Sequence, residues 1–202
     1  MKAEKGVVMS MFEVRIHGRG GQGAVTAAEM LSVAAFDEGW HAQAFPTFGS
    51  ERTGAPVVAF CRLDDHPIRI HEPIAEPDAV LIQDPTLLHQ VKVFEGVRPD
   101  GFVLVNTSRS LTELGLDELA LGLRTDRMMT VPATVFAREH LGRPLPNTAL
   151  LGAFAALSGK VSIEAVAGVI RQRFHGQVGE GNVASARAAY AHVLRELEHS
   201  DA

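Results

Sequence analysis

"IHGRGGQGAVTAAEML", residues 16–31, carries an apolar strand end into four glycines and then into an alanine-rich helical stretch. Glycine supplies positive φ and lets backbone N–H groups come close to an anion. A helix that starts right after the glycines adds its dipole to that site. Gly18, Gly20 and Gly23 fit the spacing G-x-G-x-x-G, and Gly21 adds a further glycine. The motif is weak alone and gains weight from its place between a strand and a helix. The plainer reading is that the glycines only form a tight strand–helix crossing.

Outward from this loop, "MFEVRIHG" (11–18) alternates and reads as a first strand, apolar on one face. "AVTAAEMLSVAAF" (24–36) places Val25, Ala28, Leu31, Ala35 and Phe36 on one helical face, and Gly39 ends it. "HAQAFPTFG" is extended and "GSERTGAP" is a polar loop. "VVAFCRL" and "IRIH", separated by the turn "DDHP", read as a hairpin, which makes the sheet mixed. "DAVLIQD" (78–84) and "GFVLVNTS" (101–108) are continuous apolar runs, expected of central strands buried on both faces. "PTLLHQVKVFEG" between them reads as a short helix. "RMMTVPAT" (127–134) is a last core strand leading into the helix "TVFAREHL".

From about residue 147 the chain is helical. "NTALLGAFAALSG" is apolar nearly all round and should be fully buried, in part by another subunit. "SIEAVAGVIRQRF" has Ser162 as N-cap and Glu164 in its first turn. "GNVASARAAYAHVLRELE" is expected to be capped by Asn182, with Val183, Ala186, Tyr190, Val193 and Leu197 inward. The expected fold is α/β: a three-layer Rossmann-like domain over 11–198 with a mixed, mostly parallel sheet and a helical C-terminal part. Residues 1–10 read as a loose extension.

Composition narrows the function. The 202 residues carry a net charge of −5, which argues against nucleic acid as a general partner. Cys61 is the one cysteine, so an internal disulfide, a four-cysteine iron–sulfur cluster and a cysteine-rich zinc site are excluded. In "APVVAFCRL" it reads as a small buried hydrophobe. The nine histidines show no metal-binding pattern. No apolar run reaches about 18 residues, so no membrane span is expected and the cytoplasm is the default compartment.

The glycine loop lacks the G-K-[ST] of a nucleotide triphosphate loop. A dinucleotide site expects an acid at the end of the second strand. "WHAQAF" there offers only His41 and Gln43. Asp84, Asn106, Thr107, Ser108 and Thr134 fall near the carboxyl ends of other strands and mark a ligand edge. Each also has a plain reading as a turn former or cap. Glu51 and Arg52 lie in a loop that is either solvated or, through Arg52, an anion contact. No nucleophile stands out. The residues alone describe an anion-binding α/β domain without a catalytic centre.

"GRGGQGAVTAAEML", "AFPTFGSERTGAPVVAF", "EPDAVLIQDPTLL" and "VPAT" together resemble the gamma subunit of pyruvate:ferredoxin oxidoreductases, within the 2-oxoacid:acceptor oxidoreductase family. The resemblance spans about residues 11 to 195. It implies a subunit of an enzyme that converts pyruvate and coenzyme A to acetyl-CoA and CO2, passing electrons to ferredoxin or flavodoxin. It implies alpha, beta and delta partner subunits that carry thiamine diphosphate, Mg2+ and [4Fe-4S] clusters. The scarcity of cysteine and the lack of a G-D-G…N thiamine motif fit a chain that holds none of these. What it would hold is coenzyme A, through Gly18, Arg19, Gly20, Gly21, Gln22 and Gly23, with Arg52 and Thr53 alongside. Glu51 departs from the basic residues that relatives use in that second loop. The alternatives are a gamma-type subunit for 2-oxoglutarate, 2-oxoisovalerate or indolepyruvate, and an independent nucleotide-binding reductase.

Overall fold

The computed structural model describes residues 11–47, 54–116 and 122–200. Six strands form one sheet in the order β2-β3-β1-β4-β5-β6. They are β1 (Phe12–Arg19), β2 (His41–Pro46), β3 (Pro56–Asp64), β4 (Ala79–Ile82), β5 (Phe102–Asn106) and β6 (Met128–Val131). β1, β4, β5 and β6 run parallel, while β3 is antiparallel to both β1 and β2. The sheet is therefore mixed and mostly parallel, and its glycine loop leaves the carboxyl end of a central strand.

The expected hairpin is corrected. β3, the "VVAFCRL" run, pairs with β2 and β1, and residues 68–71 form no strand. Instead Arg62 on β3 gathers that segment, its guanidinium donating to the carbonyls of Ile70 and Glu72 at 3.3 and 2.7 Å. The strand that follows the first helix is thus an edge strand, two places from β1. β1's parallel neighbour is β4, which is followed directly by Gln83 and Asp84.

Helices α1 (Ala24–Asp37), α2 (Ala133–Leu141), α3 (Asn147–Ser158), α4 (Ile163–Arg173) and α5 (Gly176–Ser200) contribute to one core. It is built on Val14, Ile16, Leu81 and Leu104 of the sheet, with Leu31, Leu150 and Phe154 above them. The opposite face carries a thinner layer. Leu87, Leu88, Val93, Leu114 and Leu116 cover Val80, Ile82, Val103 and Val105 there. The expected helix at 85–96 shortens to a single 3-10 turn, Pro85–His89.

In α1 the buried stripe is Ala24, Ala27, Ala28, Met30, Leu31, Ala34 and Ala35; Val25 is half-buried and Phe36 is 67% exposed. Phe36 lies one residue, about 100°, round the helix from Ala35, outside the face that meets the sheet. Helix α3 is buried from Asn147 to Ala155 by this chain alone, without a second subunit. Ser162 caps α4 as expected, accepting from the Ala165 N–H at 3.0 Å. Asn182 is not a cap. Helix α5 starts at Gly176, and Asn182 sits buried within it, accepting from the Thr148 hydroxyl at 2.9 Å. Propensity marks "GQVGEGN" as loop, but tertiary packing prevails. Added Cβ atoms on Gly179 and Gly181 would meet the carbonyls of Phe174 and His140 at 2.1 and 2.6 Å.

Candidate functional site: the glycine loop

The two residues that lead into β3 fix the loop from below. Gly20 N–H donates to Ala55 O at 2.9 Å, and Gly54 N–H returns a bond to Gly20 O at 3.1 Å. Gly21 and Gly23 take left-handed conformations, with φ of 93° and 77°, as glycine permits and other residues resist. Gly18 and Gly23 are needed for a second reason, close approach. Added Cβ atoms would come within 2.7 Å of Gln83 Oε1 and 2.6 Å of Asn147 Nδ2.

Helix α1 begins with no side-chain cap and no acid in its first turn. Among the described residues, the N–H groups of Gly21, Gly23, Ala24, Val25 and Thr26 find no acceptor. They line a cavity of about 330 Å³ together with Arg19, Gly20 and Val57. Uncapped amides at a helix start form an anion site. A dry apolar ligand would leave them unmet.

Arg19 and Gln22 prove to be engaged by the protein. Arg19 Nε donates to Asp84 Oδ2 at 3.0 Å, Nη1 to Gly54 O at 3.1 Å, and Nη2 to Thr86 Oγ1 and Gln90 Oε1 at 2.6 and 2.7 Å. Gln22 braces the turn: its Oε1 accepts from Arg19 N–H at 2.8 Å and its Nε2 donates to Asp84 Oδ2 at 2.9 Å. Burial alone would raise the Asp84 carboxyl. Hydrogen bonds from Thr86 and Gln22, with the Arg19 charge, outweigh it and hold the group below its ordinary value. Asp84 follows β4, on the side of β1 away from the strand that follows α1, so it does not take the place of the ribose-binding acid of a dinucleotide fold. Here its two oxygens already serve Arg19, Gln22 and Thr86.

The remaining predicted residues divide. Asn106 Nδ2 bridges Gln83 O and Thr134 Oγ1 at 2.7 and 2.8 Å, and its Oδ1 accepts from Thr134 N–H at 3.0 Å. It ties β4, β5 and the start of α2, the capping role that its plain reading gave it. Thr107 accepts from Arg109 N–H at 3.2 Å, and Ser108 is exposed. Arg52 and Thr53, like Glu51, lie outside the described residues. Cys61 is fully buried, and burial pushes its thiol up. Asp64, Asp65 and His66 bring possible metal donors together in one turn, but largely satisfy one another: His66 N–H donates to Asp64, and its ring pairs with Asp65.

Three buried residues escaped the sequence reading. Gln83, beneath Gly18, has both amide atoms unpartnered among the described residues; an uncharged polar letter directly after the apolar run "AVLI" was its signal. Arg15 and His17 lie on the polar side of β1, which alternation assigns to solvent. They are buried because β1 is central. Burial and then the Arg15 charge lower His17 to about 3. No described helix is long and apolar enough to cross a membrane.

A family model described as pyruvate ferredoxin/flavodoxin oxidoreductase matches residues 13–192. The "Pyruvate/ketoisovalerate oxidoreductases common subunit gamma" of Pyrococcus abyssi is 51% identical over 180 residues, 89% of this chain and 96% of that one. The "Pyruvate synthase subunit PorC" of Methanocaldococcus jannaschii is 50% identical, covering 92% and 99%. A crystal structure of pyruvate oxidoreductase subunit PORC from Thermotoga maritima superposes with a TM-score of 0.79 at 36% identity, covering 91% and 97%. The gamma subunit of a Geobacter sulfurreducens keto/oxoacid ferredoxin oxidoreductase, at 22% identity and a TM-score of 0.71, shares the fold. With 180 of its residues matched by one family and half of them identical to gamma-type relatives, this chain belongs to the pyruvate ferredoxin/flavodoxin oxidoreductase family.

Proposed function

We propose that this chain is the gamma-type subunit of a multi-subunit pyruvate:ferredoxin oxidoreductase and that its glycine loop holds phosphate groups of coenzyme A. The carrying observation is that the amides of Gly21, Gly23, Ala24, Val25 and Thr26 have no acceptor among the described residues and open on a cavity that Arg19 borders, in a chain of this family. Such amides suit a phosphate, because they offer fixed donors and a helix dipole without a side chain to reorganise. Arg52 and Thr53 extend the same site in this reading. The subunit also serves as a scaffold for the alpha, beta and delta chains, which bear thiamine diphosphate, Mg2+ and the [4Fe-4S] clusters. The thiamine cofactor supplies the decarboxylation chemistry. This chain's own residues bind and orient. A single cysteine, buried and with its thiol pushed up, suits neither cluster ligation nor nucleophilic attack.

A second reading concerns the 2-oxoacid. The Pyrococcus abyssi relative is named as common to pyruvate and ketoisovalerate oxidoreductases. A subunit common to both cannot itself tell the two acids apart, so discrimination belongs to other chains and this subunit is compatible with either acid.

The test is to isolate the chain with its partners under anaerobic conditions and follow viologen reduction. Activity is expected with pyruvate only when coenzyme A is present. Gly21→Val, which puts a branched side chain on a left-handed residue at the cavity, is expected to raise the KM for coenzyme A about tenfold. An unchanged KM in a fully assembled Gly21→Val complex would refute the coenzyme A site. A colourless protein without partners would refute the subunit assignment.

A further inference from the structure

Arg15 and Arg19 stand four residues apart on β1 and so project from one face of the sheet. Each holds one end of the same irregular segment. Arg15 Nη2 donates to Val93 O and Glu95 O at 2.9 and 2.7 Å. Arg19 takes Asp84, Thr86 and Gln90 at the other end. Residues 88–95 of that segment wall an open groove of about 740 Å³, a different concavity from the glycine-loop cavity. The two anchors differ in kind. Arg15 is buried and grips main-chain carbonyls. Arg19 has a side chain 22% exposed, borders the loop cavity and rests mostly on side-chain acceptors.

We propose that Asp84 is a positioning residue that competes with a bound phosphate for Arg19, so that filling the glycine loop loosens the 86–90 end of the groove wall. The proposal rests on the loop being a phosphate site. In the structure Asp84 Oδ2 holds the guanidinium at 3.0 Å. A phosphate at the Gly21–Thr26 amides offers a denser, multi-oxygen anion beside the same arginine. The exchange leaves no stranded charge. After Arg19 departs, Asp84 still accepts from Gln22 Nε2 and from the Thr86 N–H and hydroxyl, at 2.9, 3.0 and 2.6 Å. Thr86 and Gln90 lose their shared donor, whereas Arg15 keeps residues 93–95 in place. The groove wall then moves about one fixed end.

The experiment is hydrogen–deuterium exchange on the assembled complex, with coenzyme A and inorganic pyrophosphate as separate probes. Slower exchange at 20–26 reports occupancy, and faster exchange at 86–90 reports release; both are expected together. Asp84→Asn should speed exchange at 86–90 without any probe. It should also tighten pyrophosphate binding about three- to ten-fold, as expected from removing one nearby negative charge. Asp84→Glu keeps the charge and should restore the wild-type Kd. A merely structural Asp84 would give weaker binding in Asp84→Asn. Should that variant not fold, Thr86→Val removes one acceptor of Arg19 and should tighten binding by less, in the same direction. Protection at 20–26 with unchanged exchange at 86–90, or weaker binding in either variant, overturns the coupling alone. No protection at 20–26 with either probe overturns the phosphate reading and the coupling with it.

Discussion

A Cβ placed on Gly152 would lie 2.0 Å from the carbonyl oxygen of Ala186, so helices α3 and α5 meet backbone to backbone. No rotamer change relieves such a contact. Gly152→Ala is expected to force the helices apart at a cost of about 2–4 kcal/mol. Gly168, in α4, has open space around its missing side chain. Gly168→Ala should stabilise by about 0.5–1 kcal/mol, through helix propensity and a less flexible unfolded chain. Thermal unfolding of the two variants should move the midpoint in opposite directions; a shared direction would contradict the packing described.

His17 makes stability depend on pH. Its folded value of about 3 lies below the ordinary 6.5, so the unfolded chain binds a proton that the folded chain does not. Stability is complete above pH 6.5 and falls as pH drops from there towards 3. The loss between pH 7 and pH 5 is about 2 kcal/mol. His17→Leu should lack this loss, and at pH 7 it should cost little, since neither ring nitrogen has a partner among the described residues. Denaturant unfolding at pH 7 and pH 5 measures the difference, and equal slopes for the two proteins would refute the assignment.

Arg62 is a buried clasp. It pairs with Glu13 at 2.7 Å, gathers Ile70 and Glu72, and stacks over Phe45 at 5.1 Å. Arg62→Met leaves one carboxylate and two carbonyls without their donor, and should destabilise by about 3 kcal/mol. Arg62→Lys should recover little, because an ammonium cannot reproduce the planar fork. Adding Glu13→Gln to Arg62→Met should cost less than the two single changes summed. Strict additivity would show that the pair does not interact.

Asn106 joins three elements through one amide. Asn106→Ala removes the acceptor for Thr134 N–H and the donor to Gln83 O. The expected cost is about 1–2 kcal/mol, in the range of a lost helix cap. The loop cavity should keep its shape, so pyrophosphate affinity in the assembled complex should hold. Lost affinity at full assembly would make Asn106 part of the ligand edge after all.

What was legible in the sequence was what depends on neighbours along the chain. Strand, glycine turn and helix are written within residues 12–37, and Ser162 announces its own helix. The place of β3 was not legible. "VVAFCRL" pairs with residues 12–19 and 41–46, and local turn chemistry at "DDHP" pointed to the wrong partner. Alternation in β1 implied a solvated polar face, yet Arg15 and His17 are buried because loops cover a strand that lies inside the sheet. At the site, the glycines could be read as backbone devices. That Arg19 and Gln22 spend their hydrogen bonds on Asp84 could not, because Asp84 lies more than sixty residues further on.

The position of β1 third across the sheet also sets an order of events during synthesis. It leaves the ribosome before its two pairing partners, residues 56–64 and 79–82. Until those emerge, "FEVRIHGR" has both edges bare, and the α3–α5 cover comes later still. Such long-range pairing makes folding slow and leaves an exposed strand as the vulnerable intermediate. A nascent chain halted before residue 79 lacks β4 and Asp84, so it has the glycines of the loop without the strand end that braces Arg19 and Gln22.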